Sequence, residues 1–284
     1  MKALDSTAES LLAEVRDDHE SGATKLALLT LGKLLAYIDD VSPDVDALSH
    51  LISKLRAARP SMIVIDNALA MVAERIDQNP AEPGSAILDI RKQLEGASST
   101  ITRLARDELV HNPVIMTHSA SSVVLSLFHE LAEAGDPFSV ICTQSGPGLE
   151  GHSLAVALDD LSVPVTLITD AQMALFVAEA DVVITGCDTW LADGYFTNKA
   201  GTHLLALAAK AAGTPLWVLA DSFRNSEKHH DSAFLEEMPA KELNAPGGRW
   251  ITTRNVYFEA VPDALVEKRI SEQGVFSFPA EPGR

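Results

Sequence analysis

The feature that most constrains this chain is a change of pattern at His111-Asn112-Pro113. Beyond it, five short runs rich in Val, Ile and Leu recur: "VIMT", "FSVICT", "VPVTLIT", "ADVVITG" and "TPLWVLA". Between them lie segments with helical spacing, "SSVVLSLFHELAEAG", "GHSLAVALDDLS", "AQMALFVAEA" and "NKAGTHLLALAAKAAG". Strands that alternate with helices of this length require crossover connections, and crossovers build a parallel sheet. Strands apolar at nearly every position are expected to be covered on both faces. Before the break, "TAESLLAEVRDD", "SGATKLALLTLGKLLAYIDD", "DVDALSHLISKLRAAR", "SMIVIDNALAMVAERI" and "AILDIRKQLEGASSTITRLARDELV" all carry the helical period. Thr7, with Glu9 close behind, is the candidate cap of the first of these, and "QNPAEPGS" reads as a loop. The expected architecture is therefore α/β: a helical N-terminal domain over 1–108 and a doubly wound domain with a mainly parallel sheet over 109–284.

A chain of 284 residues with 46% apolar residues can bury a substantial core. No apolar run reaches the roughly 20 residues of a membrane helix. The first residues, "MKALDSTAESLLAEVRDDHE", lack the apolar stretch of a secretory signal, so a cytoplasmic protein is expected. The two cysteines, Cys142 and Cys187, sit in apolar runs and read as small hydrophobes rather than a disulfide or zinc framework. The net charge of −18 argues against a broad nucleic-acid surface, which depends on Lys and Arg neutralising phosphates. Such a balance fits either an ordinary acidic protein or one that works in a salt-rich cytoplasm, where self-repulsion is screened.

In doubly wound sheets ligands bind beyond the carboxyl ends of the strands. That places Thr117-His118-Ser119, Thr143-Gln144-Ser145-Gly146, Thr169-Asp170, Gly186-Cys187-Asp188 and Asp221-Ser222 on the candidate side. No GxGxxG dinucleotide fingerprint follows the first strand and no GxxxxGK[ST] phosphate loop occurs, so no nucleotide cofactor is expected. No metal site is expected either. The pair His229-His230 in "SEKHHD" reads as a mobile surface loop, because consecutive residues project differently and rarely chelate one ion.

The stretch "GCDTWLADGYFTNKAGTHLLALAAK" carries the most chemistry. Asp188 ends an apolar strand, and Asn198-Lys199 read as the opening of a helix. A carboxylate facing a lysine and a helix N-terminus suits acid/base work on a bound anion. The alternative reading of the same residues is a strand-end aspartate capping a turn beside a solvated lysine. Trp190, Tyr195 and Phe196 follow, and could line a cleft or a subunit interface, the latter being favoured.

These residues resemble a family that unites the alpha, beta and delta subunits of translation initiation factor 2B with two isomerases. The isomerases act on methylthioribose-1-phosphate and ribose-1,5-bisphosphate. The family's GAD…NG…NK-x-GT signature is matched by Gly186, Asp188, Gly194, Asn198, Lys199, Gly201 and Thr202. "HESGATKLAL", with Gly22 and Ala23, resembles its N-terminal glycine loop, and "RPSMIVIDNAL", with Arg59, its RPT-x-N-x-L helix. "NVYFEAVPDALVEKRISEQGV" resembles its C-terminal ending. The resemblance implies a Rossmann-like C-terminal domain and homodimerisation through it.

Two departures bear on catalysis. The isomerases carry a cysteine in a THC elbow that works with the GAD aspartate, whereas this chain has Ser119, as the initiation-factor subunits do. A serine hydroxyl is far less acidic than a thiol and needs a base. His118 is adjacent, but neighbours diverge at an elbow and no third group orients it, so Ser119, Ser121 or Ser122 as helix caps is the favoured reading. In the next loop, "TQSGPGLEGHS", Gly146 stands where the family has a phosphate-holding Arg, and Glu150 remains. Backbone amides of that turn could still cradle an anion.

The expected function is thus that of an initiation factor 2B subunit-like protein without catalysis, whose cleft takes a phosphorylated sugar or nucleotide and which partners the initiation factor 2 alpha subunit. The alternative is an aldose-phosphate isomerase with an altered site. Asp188 and Ser119 are the catalytic positions, and Gly22, Ala23, Arg59, His118, Gly146, Glu150, Asn198 and Lys199 are the binding candidates.

Overall fold

The computed structural model describes residues 4–18, 21–60, 62–233, 235 and 237–278. The chain divides into two compact units, Met1–Ala97 and Ser98–Arg284. The division falls within one long helix, Pro83–Glu108.

The first unit is helical: α1 (Ser6–Asp17), α2 (Ala23–Val41), α3 (Val45–Arg56), α4 (Ile63–Gln78) and the opening turns of α5 (Pro83–Glu108). Asp5, not Thr7, caps α1, its carboxylate accepting the N–H groups of Thr7 and Ala8 at 2.9 Å each. Thr7 lies inside the first turn because the aspartate two residues earlier already takes those orphan donors. Asp44 caps α3 in the same way through Ala47 N–H. α2 packs on α1 and α4, and α3 on α1 and α4. Leu31, Leu34, Leu51, Leu55 and Val72, spaced by three or four within their helices, are fully buried between them.

The second unit holds β1 (Val114–Thr117), α6 (Ser122–Ala134), β2 (Ser139–Thr143), α7 (Glu150–Asp160), β3 (Val165–Ile168), α8 (Met173–Phe176), β4 (Val182–Thr185), β5 (Thr189–Trp190), β6 (Tyr195–Lys199), α9 (Thr202–Ala212), β7 (Leu216–Leu219), β8 (Phe258–Pro262), β9 (Lys268–Ser271) and β10 (Gly274–Ser277). Seven strands form one sheet in the order β3-β2-β1-β4-β7-β9-β10, parallel except for the antiparallel β9–β10 hairpin. The chain winds outward through β1, β2 and β3, then returns to place β4 on the other side of β1. The topological switch point therefore lies between β1 and β4. Neighbouring strand residues alternate between the sheet's two faces. Ile115, Val140 and Ile184 join Phe128, Leu154 and Ile101 in one core, while Met116, Ile141 and Val183 join Phe196 and Leu205 in the other.

The expected mixed α/β fold with its five parallel strands is present, and three local expectations are corrected. Asn198 and Lys199 do not open a helix. They end β6, the middle strand of a second, antiparallel sheet ordered β5-β6-β8, and α9 starts only at Thr202. The ladder to β8 holds these residues extended, a non-local pairing that local helical spacing does not reveal. The "AQMALFVAEA" segment is not one helix. It breaks into a 3-10 turn, the single-turn α8 and a second 3-10 turn. Phe196 and Trp190 are packed against each other, rings 5.6 Å apart, with Phe196 wholly buried in the core. The Arg269 guanidinium lies over the Trp190 ring, 4.5 Å from its centroid. Their packing is internal and leaves Phe196 no interface role.

Two glycines fix how closely the loops approach. Gly201 has φ +110°, and a Cβ there would fall 2.7 Å from His118 Nε2. At Gly151 a Cβ would fall 1.8 Å from the Thr143 carbonyl oxygen. Both positions exclude any side chain, which lets α9 and α7 abut the ends of β1 and β2.

Candidate functional site

The loops after β1 and β2 form a closed hydrogen-bond chain. His118 is buried, and its Nε2 lies 2.9 Å from the Ala200 carbonyl, so that nitrogen carries the proton. Nδ1 then accepts from the Thr143 hydroxyl at 2.6 Å. Thr143 Oγ1 lies 3.0 Å from Ser145 Oγ, which in turn accepts the Ser119 N–H at 2.7 Å. Burial lowers the His118 pKa and keeps the ring neutral. Both ring nitrogens are engaged, so His118 has none to offer Ser119 as a base or a ligand as a donor. Ser119 sits in the left-handed region at φ +66°, and its hydroxyl makes no hydrogen bond among the described residues. Ser121 is the N-cap residue of α6, but its side chain caps nothing. It packs instead against Gly186, where a Cβ would fall 2.3 Å from Ser121 Oγ.

The donors expected to meet an anion are met by carboxylates of the chain itself. Asp170 accepts the Ser145 N–H at 2.8 Å and the Gly146 N–H at 2.7 Å, so the turn at Gly146 cradles a carboxylate of the chain itself. Glu259, on β8, accepts the Gly201 and His203 N–H groups at 2.7 and 2.9 Å and closes the N-terminus of α9. Lys199 is buried, donates to Glu150 Oε1 at 2.7 Å and lies 3.6 Å above the Tyr257 ring. Tyr257 in turn donates its hydroxyl to Glu242 at 2.7 Å. The Asn198 amide donates to the Thr202 hydroxyl at 3.0 Å. One atom of this set is unmatched: Glu150 Oε2 is buried without a partner among the described residues.

The loop after β4 differs. Its backbone is held by the Asp188 N–H, which donates to the Thr197 carbonyl at 2.8 Å. The Asp188 carboxyl, partly open to solvent, makes no hydrogen bond or ion pair among the described residues. Its surroundings push its pKa up to about 6, burial raising it more than the positive charges of Arg224 and Lys199 lower it. Arg224, in the turn after β7, is buried; its Nη1 donates to the Cys187 carbonyl at 2.6 Å and its Nε faces Asp221 at 3.3 Å. A carboxyl poised near neutrality beside two buried cations can take up and release a proton, which marks a candidate functional group. Sequence reasoning did not single out Arg224. Its signal was an arginine three residues after a strand-end aspartate, a pattern too common to stand out before the two loops were seen together.

Gly22, Ala23 and Arg59 belong to the first unit. Gly22 is the N-cap residue of α2 and Ala23 its first residue. Arg59 is buried and donates to the Asp18 carbonyl, just after α1 and ahead of the glycine loop. Cys142 and Cys187 are buried thiols whose pKa values burial raises, that of Cys142 to about 11. His230 is not loose. Its Nδ1 lies 2.7 Å from Asp193 and its ring stacks on Tyr195. Among the described residues no cluster of three metal-ligating side chains occurs, and no helix is long and apolar enough to cross a membrane.

Comparison with known proteins places this arrangement in context. Over 269 residues the chain is 30% identical to a translation initiation factor eIF-2B subunit 2-like protein of Pyrococcus abyssi, covering 93% of this chain and 94% of the other. It is 28% identical over 272 residues to a ribose 1,5-bisphosphate isomerase of Archaeoglobus fulgidus, covering 92% and 87%. The crystal structure of a translation initiation factor eIF-2B from Pyrococcus horikoshii matches the fold with a TM-score of 0.82 at 30% identity, over 97% of this chain and 98% of that one. Initiation-factor-like proteins and isomerases thus both stand among its relatives. Residues 6–278 match the Initiation factor 2 subunit family, and the chain belongs to it.

Proposed function

We propose that this protein is a non-catalytic, initiation factor 2B subunit-like protein of the cytoplasm. It acts as a homodimer built through its second unit and engages the initiation factor 2 alpha subunit. The observation that carries the reading is the internal saturation of the anion-recognising donors. Asp170 fills the Ser145–Gly146 turn, Glu259 fills the α9 N-terminus, and Glu150 pairs with Lys199. A phosphate entering there must displace a carboxylate that is already optimally placed, so binding of a phosphorylated sugar or nucleotide is weak. The resemblance supports the same conclusion, because Ser119 stands where the isomerases have a reactive thiol.

A second reading has one observation in its favour. Asp188, raised to about 6 and without a hydrogen-bond partner among the described residues, is suited to moving a proton between C1 and C2 of an opened aldose phosphate. Incubation with ribose-1,5-bisphosphate and with methylthioribose-1-phosphate, followed for ketose formation, separates the two. The non-catalytic reading expects no turnover by the wild type. Turnover that Asp188→Asn abolishes establishes the isomerase instead. Capture of the purified initiation factor 2 alpha subunit tests the translational role.

A further inference from the structure

Between β7 and β8, the chain from Met238 to Val256 forms a loop that is closed at its base. Val256 bridges to Glu237, the Met238 N–H donates to the Asn255 carbonyl at 2.8 Å, and Arg254 pairs with Glu237 at 2.7 Å. Within the stem, Glu242 Oε2 accepts the Tyr257 hydroxyl at 2.7 Å and the Asn255 amide at 3.1 Å. Compact loops held by their own side chains in this way are frequently functional. The tip is built differently. Trp250 is 87% exposed and Ile251 48%, and the Arg249 guanidinium lies 4.9 Å from the Trp250 ring centroid. Trp217 is buried, and Trp190 stacks on the buried Phe196. An indole left in water forgoes one of the largest apolar burials a side chain can make, so a clamped loop that presents one presents a contact.

Charge identifies the occupant. Residues 238–256 hold Lys241, Arg249 and Arg254 against a single carboxylate, Glu242. Glu242 is engaged by Tyr257 and Asn255, and Arg254 by Glu237. Lys241 and Arg249 are exposed and form no ion pair among the described residues. The tip is thus positive on a chain whose net charge is −18, a local reversal of sign that selects an acidic partner. Beside it lies an open concavity of about 520 Å³, lined by Lys241, Ala245, Pro246, Gly248 and Ile251. Tryptophan and arginine side by side at the edge of an apolar concavity are what interface hot spots are made of. The arrangement fits bulky apolar side chains flanked by carboxylates. RNA fits it less well, because every nucleotide brings a charge against the acidic remainder of the chain, whereas a peptide can confine its carboxylates to the tip.

We propose that the loop tip at Arg249, Trp250 and Ile251 is a docking site for an acidic segment of a partner protein, one that carries bulky apolar side chains between its carboxylates. The inference needs neither the dimer nor the translational role proposed above. Trp250 supplies its own readout, since burial of an exposed indole moves its emission to shorter wavelength. The full chain is titrated with a synthetic peptide of two leucines flanked by glutamates, with the same peptide carrying lysines for glutamates, and with oligouridylate. The acidic peptide is expected to bind saturably, to shift the emission and to weaken as salt is raised, and the lysine peptide not to bind. With the acidic peptide labelled for fluorescence anisotropy, Trp250→Ala and Arg249→Glu are each expected to raise Kd roughly 30-fold or more, with unchanged circular dichroism because both positions are exposed. Absence of saturable binding, equal binding of the lysine peptide, or binding that survives Trp250→Ala overturns the proposal. Oligouridylate that binds more tightly than the acidic peptide, and loses its binding in Trp250→Ala, assigns the tip to RNA and overturns it as well.

Discussion

The two sides of the switch point are built from the same material and do opposite things with it. On the β1–β2 side one hydrogen-bond chain runs from the Ala200 carbonyl through His118, Thr143 and Ser145 to the Ser119 amide. On the β4–β7 side, the Asp188 carboxyl has no hydrogen-bond partner among the described residues, and there Asp221 Oδ1 and Thr185 Oγ1 are buried without one. A saturated network fixes geometry and leaves nothing to react. Unpaired groups in a low-dielectric setting carry strained ionisation states and unmet hydrogen-bonding capacity. The elbow that looks most like a nucleophile site is held by its own hydrogen bonds, and the carboxyl able to move a proton lies on the other side of β1.

The comparison breaks most decisively at Arg224. Replacing it with Met leaves Asp221 buried without its cation, and breaking a buried pair in this way typically costs about 3–5 kcal/mol. Urea denaturation of Arg224→Met is expected to show a loss of that order, with Asp188 titrating above its present value. A loss under about 1 kcal/mol would mean that water already shares the charge.

A smaller effect of opposite sign is expected at Asp188. Its folded pKa of about 6 exceeds the unfolded value near 4, so its ionisation opposes folding. The cost is absent below about pH 4, grows as the pH passes through 6 and is complete above about pH 7. Asp188→Asn is then expected to stabilise the protein by about 1–2 kcal/mol at pH 8, allowing for partial solvation, and to be neutral at pH 4. Denaturation curves of equal midpoint difference at both pH values would show an ordinary hydrated carboxylate and erase the contrast between the two sides.

The smallest effect belongs to Ser119. Its φ of +66° is strained for a residue with a Cβ, and its hydroxyl makes no hydrogen bond among the described residues. Ser119→Gly relieves the backbone and is expected to gain about 0.5–1 kcal/mol, a rise in Tm of roughly 1–3 °C by calorimetry. A drop in Tm would show that the hydroxyl has a structural role that the saturated network does not include.

How much of this was legible in the sequence depended on distance along the chain. The five apolar runs and the helical periods reported the parallel sheet, because a short continuous apolar run and a period of 3.6 residues are both local patterns. Asp188 was legible as a strand-end carboxylate. The antiparallel sheet was not: β6 reads "YFTNK" and becomes a strand only through β8, far along the chain. Arg224 and Glu259 were missed for the same reason, since each acquires its role from a residue on another element.

The sequence by itself determined the succession of helices and parallel strands, the strand-end loops on the candidate side, and membership of the family through its ordered motifs. Tertiary structure alone decided which polar groups are satisfied. Whether a turn amide meets a ligand or Asp170, and whether a carboxyl meets a donor or stands alone, is a matter of ångströms between residues distant in the chain. Hydrogen-bond energy falls steeply over that range, so the same residue types produced a closed network on one side of β1 and an open site on the other.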